Sequence, residues 1–272
     1  MNSKFLIFLI FSFFSSMLFA GNENFPSGGR QAAMADAGVA LTDLWSVQHN
    51  QAGIAGLKKI SAGINYETKY MLKDLGFRSG AFALPIKNSG VFGVYISDYG
   101  YKLYKEQKVG LSYAKTFGKI VSVGVQIDYL NTSIGEDYGK RSALAAEAGV
   151  IAKISSNLDF GAHIYNPNRA KLADYNDERS PTIMKMGFGY RFSEKIITLA
   201  EVEKNVDSKN VFKGGIEYNV VKAFSVRGGI SSNPSLISFG FGLHLKNFRM
   251  DVAASMHQVL GYSPKLSLQY IF

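Results

Sequence analysis

The 272-residue chain has no cysteine. That excludes disulfide staples, thiol nucleophiles and cysteine-ligated metal centres. Prolines number only 6 and tryptophans 1. Past residue 20 there is no run of about 18 apolar residues, so no membrane-spanning helix is expected. Chemistry-bearing motifs are missing too: there is no Gly-x-Ser-x-Gly elbow, no His-Glu-x-x-His pair and no phosphate loop. No enzyme activity, cofactor or metal is expected on these grounds. The four histidines read as satisfied polar residues.

Glycine is plentiful at 28 residues, aromatics make up 13%, and the formal net charge is +9. Such a charge could serve nucleic acid. Here the lysines are spread along the chain, which fits anionic lipid head groups better, and no nucleic-acid partner is expected. Residues 1–20, MNSKFLIFLIFSFFSSMLFA, carry the single charge Lys4 before an apolar run and end in small residues. They read as a signal peptide cut near Ala20, so the mature chain is expected to be exported.

From residue 60 onward, apolar residues recur at every second position. KIVSVGVQIDYL (119–130) sets Val121, Val123, Val125, Ile127 and Tyr129 against Ser122, Gly124, Gln126 and Asp128. This is the period of a strand with one apolar face. Fourteen strands are expected, at 60–66, 77–87, 90–99, 107–117, 119–131, 142–155, 157–166, 181–192, 195–204, 209–219, 222–231, 235–245, 247–257 and 263–272. The strand at 195–204 has the least distinct faces, because Ile196 and Ile197 are adjacent.

The connections alternate between short Gly/Asn/Ser turns and longer polar segments, the latter near 67–76, 100–106, 132–141, 167–180, 204–208, 232–234 and 258–262. A soluble sandwich or lipocalin-like barrel gives no reason for this alternation. An all-β outer-membrane barrel of about 14 antiparallel strands does, with short periplasmic turns, longer external loops and the apolar face turned to lipid. Tyr66, Tyr99, Tyr101, Tyr104, Tyr129, Tyr190, Tyr218 and Tyr262 fall near strand ends, where an aromatic girdle belongs. The sequence closes on KLSLQYIF, with Phe272, Tyr270, Leu268 and Leu266 in alternation. A last strand that closes the barrel explains this ending, and the terminal Phe272 resembles the signal read by outer-membrane assembly machinery.

By the same period, the lumen receives Asp128, Glu147, Lys153, Asp159, Lys185, Arg191, Lys213, Glu217, Arg227, Lys246, Arg249 and Asp251. Both signs are present, which fits structural ion pairs first and a charge-selective path second. The inward face is also rich in glycine, including Gly63, Gly124, Gly149, Gly161, Gly215 and Gly229. Glycine there lets another backbone come close. Residues 21–58 precede the barrel (59–272) and break the strand pattern, with helix-favouring Ala, Met and Leu and the single Trp45. They are expected to form a helical or irregular plug; a disordered linker is the alternative. Trp45, Asn50, Gln51, Ala52 and Gly53 are its expected gating residues.

The run Gly28-Gly29-Arg30, Ala33 to Ala40, Asp43, Trp45-Ser46-Val47 and Asn50-Gln51-Ala52-Gly53-Ile54-Ala55 resembles the N-terminal segment of FadL/PorV-type outer-membrane proteins, with Gln51 where proline is usual. The resemblance implies two different roles. FadL-like members carry small hydrophobic molecules past an N-terminal hatch. PorV- and PorQ-like members are accessories of type IX secretion and work with protein partners. The compact length and the weakly apolar lumen favour the second, with 67–76, 132–141 and 167–180 as the partner-facing loops.

Overall fold

The computed structural model describes residues 24–135, 139–172, 179–206 and 208–272. The expected signal peptide, residues 21–23 of the expected plug, and residues 136–138, 173–178 and 207 of three expected loops lie outside the described residues. Fourteen strands form along the chain: β1 (Ser61–Thr68), β2 (Gly76–Ile86), β3 (Gly90–Tyr101), β4 (Tyr104–Phe117), β5 (Val121–Ile134), β6 (Lys140–Lys153), β7 (Leu158–Tyr165), β8 (Ile183–Arg191), β9 (Ile196–Asn205), β10 (Val211–Val221), β11 (Phe224–Ser231), β12 (Leu236–Leu245), β13 (Phe248–His257) and β14 (Gly261–Ile271). Each pairs antiparallel with its neighbours, and β1 pairs with both β2 and β14, so the sheet closes into a barrel.

Closure removes the unpaired edge that hydrocarbon cannot solvate. Alternation then decides the two faces. On β5, Val123, Val125, Ile127 and Tyr129 are exposed while Gly124, Gln126 and Asp128 are buried. The outward apolar stretch from Val121 to Tyr129 has the length a tilted strand needs to cross a bilayer, about 9–11 residues. The strand at Ile196–Asn205 forms despite its blurred faces, because neighbours on both sides fix its register.

The connections at one end, 87–89, 118–120, 154–157, 192–195, 222–223 and 246–247, are uniformly short. Those at the other end are less uniformly long than expected. The 100–106 loop collapses to the two-residue hairpin Lys102-Leu103, because pairing continues through Gly100↔Lys105 and Tyr101↔Tyr104. Gly100, at φ 101°, lets the Tyr104 carbonyl come so close that no Cβ would fit. Tyr99 is a second departure. Its ring turns inward onto Phe25, centroid to centroid 4.3 Å, rather than joining an outer girdle. Tyr66, Tyr101, Tyr129, Tyr190, Tyr218 and Tyr262 are exposed, as a girdle requires.

Candidate functional site

Residues 24–57 lie inside the barrel. They enter beside Phe77 and Tyr99, near the end with the longer connections, and leave at Leu57 beside the short ones. The segment contains helical turns at Gly29–Ala32 and Ser46–His49 and a 3-10 turn at Gln51–Gly56. Turns this short cannot stand alone in water. The barrel wall holds them.

The wall does so first by omitting side chains. A Cβ on Gly124 would run into the backbone of Gln51 and Ala52, one on Gly149 into the Asn50 carboxamide, and one on Gly161 into the Val39 carbonyl. On the far side, a Cβ on Gly215 would sit 2.6 Å from Met34 Cβ, and one on Gly229 would meet the Met34–Ala35 peptide. These glycines, from β5–β7 and β10–β11, form a girdle of gaps around the plug.

The expected gating residues are all buried in this packing. Asn50 Nδ2 donates to the Val39 carbonyl at 2.7 Å and to the wall carbonyls of Val150 and Ala162 at 3.1 and 3.3 Å, while its Oδ1 accepts from Ala52 N. Gln51 Nε2 donates to Glu147 Oε2 at 2.7 Å. The Trp45 ring packs beneath Gly28 and against Gly63, and Gly53 lies so close to Leu41 and Ser46 that no side chain fits. Ala52 rests on Gly124.

Charge supplies the second anchor. Arg30 makes a two-pronged bond to Glu217, 2.8 Å on each arm, and a third bond to Asp43 at 3.0 Å. Glu217 accepts from Arg227 at 2.6 Å, and Arg227 reaches Asp251 at 2.7 Å. A second network joins Lys108 to Glu147 at 2.5 Å and to Asp128 at 3.3 Å, with His163 bonded to Glu147 at 2.8 Å. In a third, Glu201 accepts the amides of Gly38 and Val39, both at 2.8 Å, and pairs with Lys213, which also pairs with Glu203; Lys185 faces Glu203 at 3.6 Å. Lys265 faces Glu67 at 3.0 Å and Asp36 at 3.7 Å.

Seven expected lumen charges, Asp128, Glu147, Asp159, Lys185, Glu217, Arg227 and Asp251, are therefore buried and paired, whereas Lys153 is exposed at the end of β6 rather than in the lumen. Arg191 is not buried either: its side chain is 43% exposed at the rim, bonded to Asp159, because β8 ends there. Lys246 lies in the β12–β13 turn rather than in the lumen. Arg249 does face inward but makes no ion pair among the described residues. With His244, Glu217 and Trp45 it lines a cavity of about 400 Å³ at the short-connection end, beneath the plug.

Besides Arg30, two plug groups are electrostatically displaced. Burial, reinforced by Lys185, brings His49 down to about 4, so its ring is neutral and Nε2 donates to the Ser27 carbonyl at 2.8 Å. Burial opposes ionisation of Asp36, yet Lys265 and Lys213 outweigh it and hold the carboxyl below its ordinary value. Among the described residues no Ser hydroxyl bonds a His ring. Ser238 bonds Ser255, and Ser267 accepts from Gly29 N.

Sequence reasoning missed Lys108, Glu201 and Lys265. Lys108 and Lys265 share the inward parity of Gly110 and Ser267, so alternation alone would have found them. Glu201 was hidden by the indistinct faces of its strand.

No family model and no curated protein matches this chain. Solved structures do. A Pseudomonas aeruginosa FadL homologue superposes with a TM-score of 0.63 at 13% identity, over 90% of this chain and 98% of that one. The P. putida toluene transporter TodX gives 0.70 at 10% identity, over 92% and 99%. The Acinetobacter baumannii outer membrane protein Omp33 gives 0.51 at 11%, over 79% and 98%. The closed fourteen-stranded barrel of this chain thus has the fold of FadL-type outer-membrane barrels.

Proposed function

We propose that this chain is an outer-membrane transport barrel whose segment 24–57 is a hatch, and that its cargo is a small hydrophobic molecule. The observation that carries the reading is the seating of the hatch. It is held by glycine gaps, by polar bonds that water can take over, and by an apolar cluster in which Leu44, Trp45, Val47 and Ile54 pack with Ala81, Val91 and Tyr95 of the wall, and a cavity already lies beneath it. The likeness in fold to a FadL homologue and to TodX, described as a toluene transporter, supports this choice of cargo. Trp45 and Asn50 to Gly53 are the hatch residues that passage must displace.

The reading as a secretion accessory of PorV/PorQ type, with a protein partner, is favoured by one feature. Met71, Leu72, Val259 and Leu260 are exposed at the end with the longer connections. Two measurements separate the readings. The first is uptake of a fluorescent fatty acid and of toluene into vesicles containing the purified barrel. The second is a mild-detergent pull-down from the native membrane, with protein and lipid mass spectrometry on one sample. Uptake above that of protein-free vesicles, abolished by cross-linking the hatch to the wall, supports the transporter. A stoichiometric secretion component without uptake overturns it.

A further inference from the structure

The outer wall of β2–β6 carries a ladder of polar residues where lipid-facing apolar side chains would continue the pattern. Arg78, Asp98, Gln107, Asn131 and Ser142 stand directly opposite one another across five strands. They are linked in sequence: Arg78 to Asp98 at 3.2 Å, Gln107 to Asp98 at 3.1 Å, Asn131 to Gln107 at 3.3 Å and Ser142 to Asn131 at 3.3 Å. One rung further from the short turns lie Lys105, Ser133 and Lys140, again mutually opposite. Lys105 reaches Asp98 at 3.4 Å.

One rung nearer the short turns, the same face is apolar: Ile96, Val109, Tyr129 and Leu144 are exposed beneath the ladder. The ladder therefore begins where the nine-residue apolar stretch of β5 stops, at the level of the bilayer's outer interface. Ion pairs exposed in this way contribute little to stability, about 0–1 kcal/mol each, so the fold alone does not require it.

The wall is also concave here. Gly80 presents no side chain between Ile64 and Ile96, and a groove of about 840 Å³ runs from these residues up to Arg78, Asp98 and Lys140. Among the described residues, Arg78 and Lys140 line its upper end and Lys105 reaches in from one rung beyond, against the single carboxylate Asp98. The lower part is aliphatic and aromatic. Phosphate suits the guanidinium and ammonium groups, and acyl chains suit the apolar floor.

We propose that this groove binds a phosphorylated lipid of the outer leaflet, its phosphate on Arg78, Lys105 and Lys140 and an acyl chain along Ile64, Gly80 and Ile96. The inference rests on the barrel alone and is independent of what the lumen carries. Asp98 holds Arg78 and Lys105 in place and also weakens their pull on an anion.

The test is a native mass spectrometry titration of the full chain in mild detergent, with diphosphoryl lipid A and its dephosphorylated form as probes. The wild type is expected to prefer the phosphorylated probe at least tenfold. R78Q/K105Q/K140Q is expected to erase that preference, and Gly80→Leu to weaken both probes. Asp98→Asn is expected to tighten the phosphorylated probe several-fold. A control variant, K115Q/K119Q/K222Q, removes the same charge near the short turns and is expected to behave as wild type. Equal binding of the two probes by the wild type, retained preference in the groove variant, or an equal loss in the control would each overturn the proposal. Heat-modifiable gel migration confirms that every variant is a folded barrel.

Discussion

If the glycine girdle seats the plug, one added methyl should loosen it. Gly124 is the sharpest case. An alanine there would overlap the backbone of Gln51 and Ala52 and lie 2.8 Å from Gln51 Cβ, against roughly 3.5–4.0 Å for a relaxed carbon contact. Backbone cannot rotate away as a long side chain can. Overpacking of this kind costs about 1–3 kcal/mol, which shifts the seated-to-released ratio of the plug by roughly 5- to 150-fold. Gly214→Ala is the matched control. Gly214 lies on the same barrel, and the nearest atom to its added methyl is Ile230 Cγ1 at 3.8 Å. Both substitutions restrict the unfolded chain alike, so that effect cancels in the comparison. Because the chain has no cysteine, a single Val47→Cys reporter, fully buried in the native plug, can be read by its maleimide labelling rate in the folded barrel. The expectation is faster labelling in Gly124→Ala by the factor given above, and no change in Gly214→Ala. Equal rates in two variants that both migrate as heat-modifiable barrels would refute the seating argument.

Acid should act on the same equilibrium. The folded value of His49, about 4, lies below its ordinary 6.5, so its contribution is complete above pH 6.5 and is lost as the pH falls toward 4. At full size this is about 3 kcal/mol. Asp36, held low by Lys265, acts in the same direction only below its ordinary 3.8 and so does not contribute between pH 7 and 5. Val47→Cys labelling, divided at each pH by the rate of a free thiol because only the thiolate reacts, should therefore accelerate between pH 7 and 5, and His49→Gln should flatten that dependence. Arg30→Gln removes the fork to Glu217 and Asp43 and is expected to raise the frequency of openings in a planar bilayer. Arg249→Ala, which breaks no pair, should leave the closed state unchanged. Lys108→Met leaves Glu147 and Asp128 buried together without their shared cation; the expected cost is about 3–5 kcal/mol, seen as a lower urea midpoint for heat-modifiable migration.

The strands were legible because a membrane barrel obeys one rule at every position: outward apolar, inward small or polar. That rule located β9 even where Ile196-Ile197 blurred it, since a closed barrel leaves no register free for one strand. Loop lengths were harder to read. Tyr99-Gly100-Tyr101 looks like loop by its glycine, yet the tyrosines are good strand residues and Gly100 lets the Tyr104 carbonyl approach beside the turn at Lys102-Leu103. Inward glycines marked the presence of a plug but not its path, because a missing side chain does not say which backbone fills the gap. Pairing partners such as Arg30 with Glu217, 187 residues apart, are set by where the plug turns, and no local pattern encodes that.

The inward face shows why this barrel needs its plug. Gly124, Gly149, Gly161, Gly215 and Gly229 contribute nothing to fill the lumen at their level, so without residues 24–57 that layer would be hollow. Beside it and above it, Glu147, Glu201 and Glu217 are placed to receive Gln51, the Gly38 and Val39 amides, and Arg30. Removing the plug would leave those wall carboxylates with only their partners within the barrel. Plug and wall are thus two halves of one packing solution, and any opening must replace these bonds by water or by cargo. Water can take over the bonds of Arg30, Asn50 and Gln51, because a hydrogen bond exchanged with solvent changes the free energy by only about 0.5–1.5 kcal/mol, or about 1.5–3 kcal/mol where a charged group takes part. Water cannot replace the fit of Val39, Met34 and Ala52 into the glycine gaps. If the plug is a hatch as proposed, the glycine contacts and the apolar cluster of Leu44, Trp45, Val47 and Ile54 are therefore the latch, and the charges mainly set where the plug returns after release.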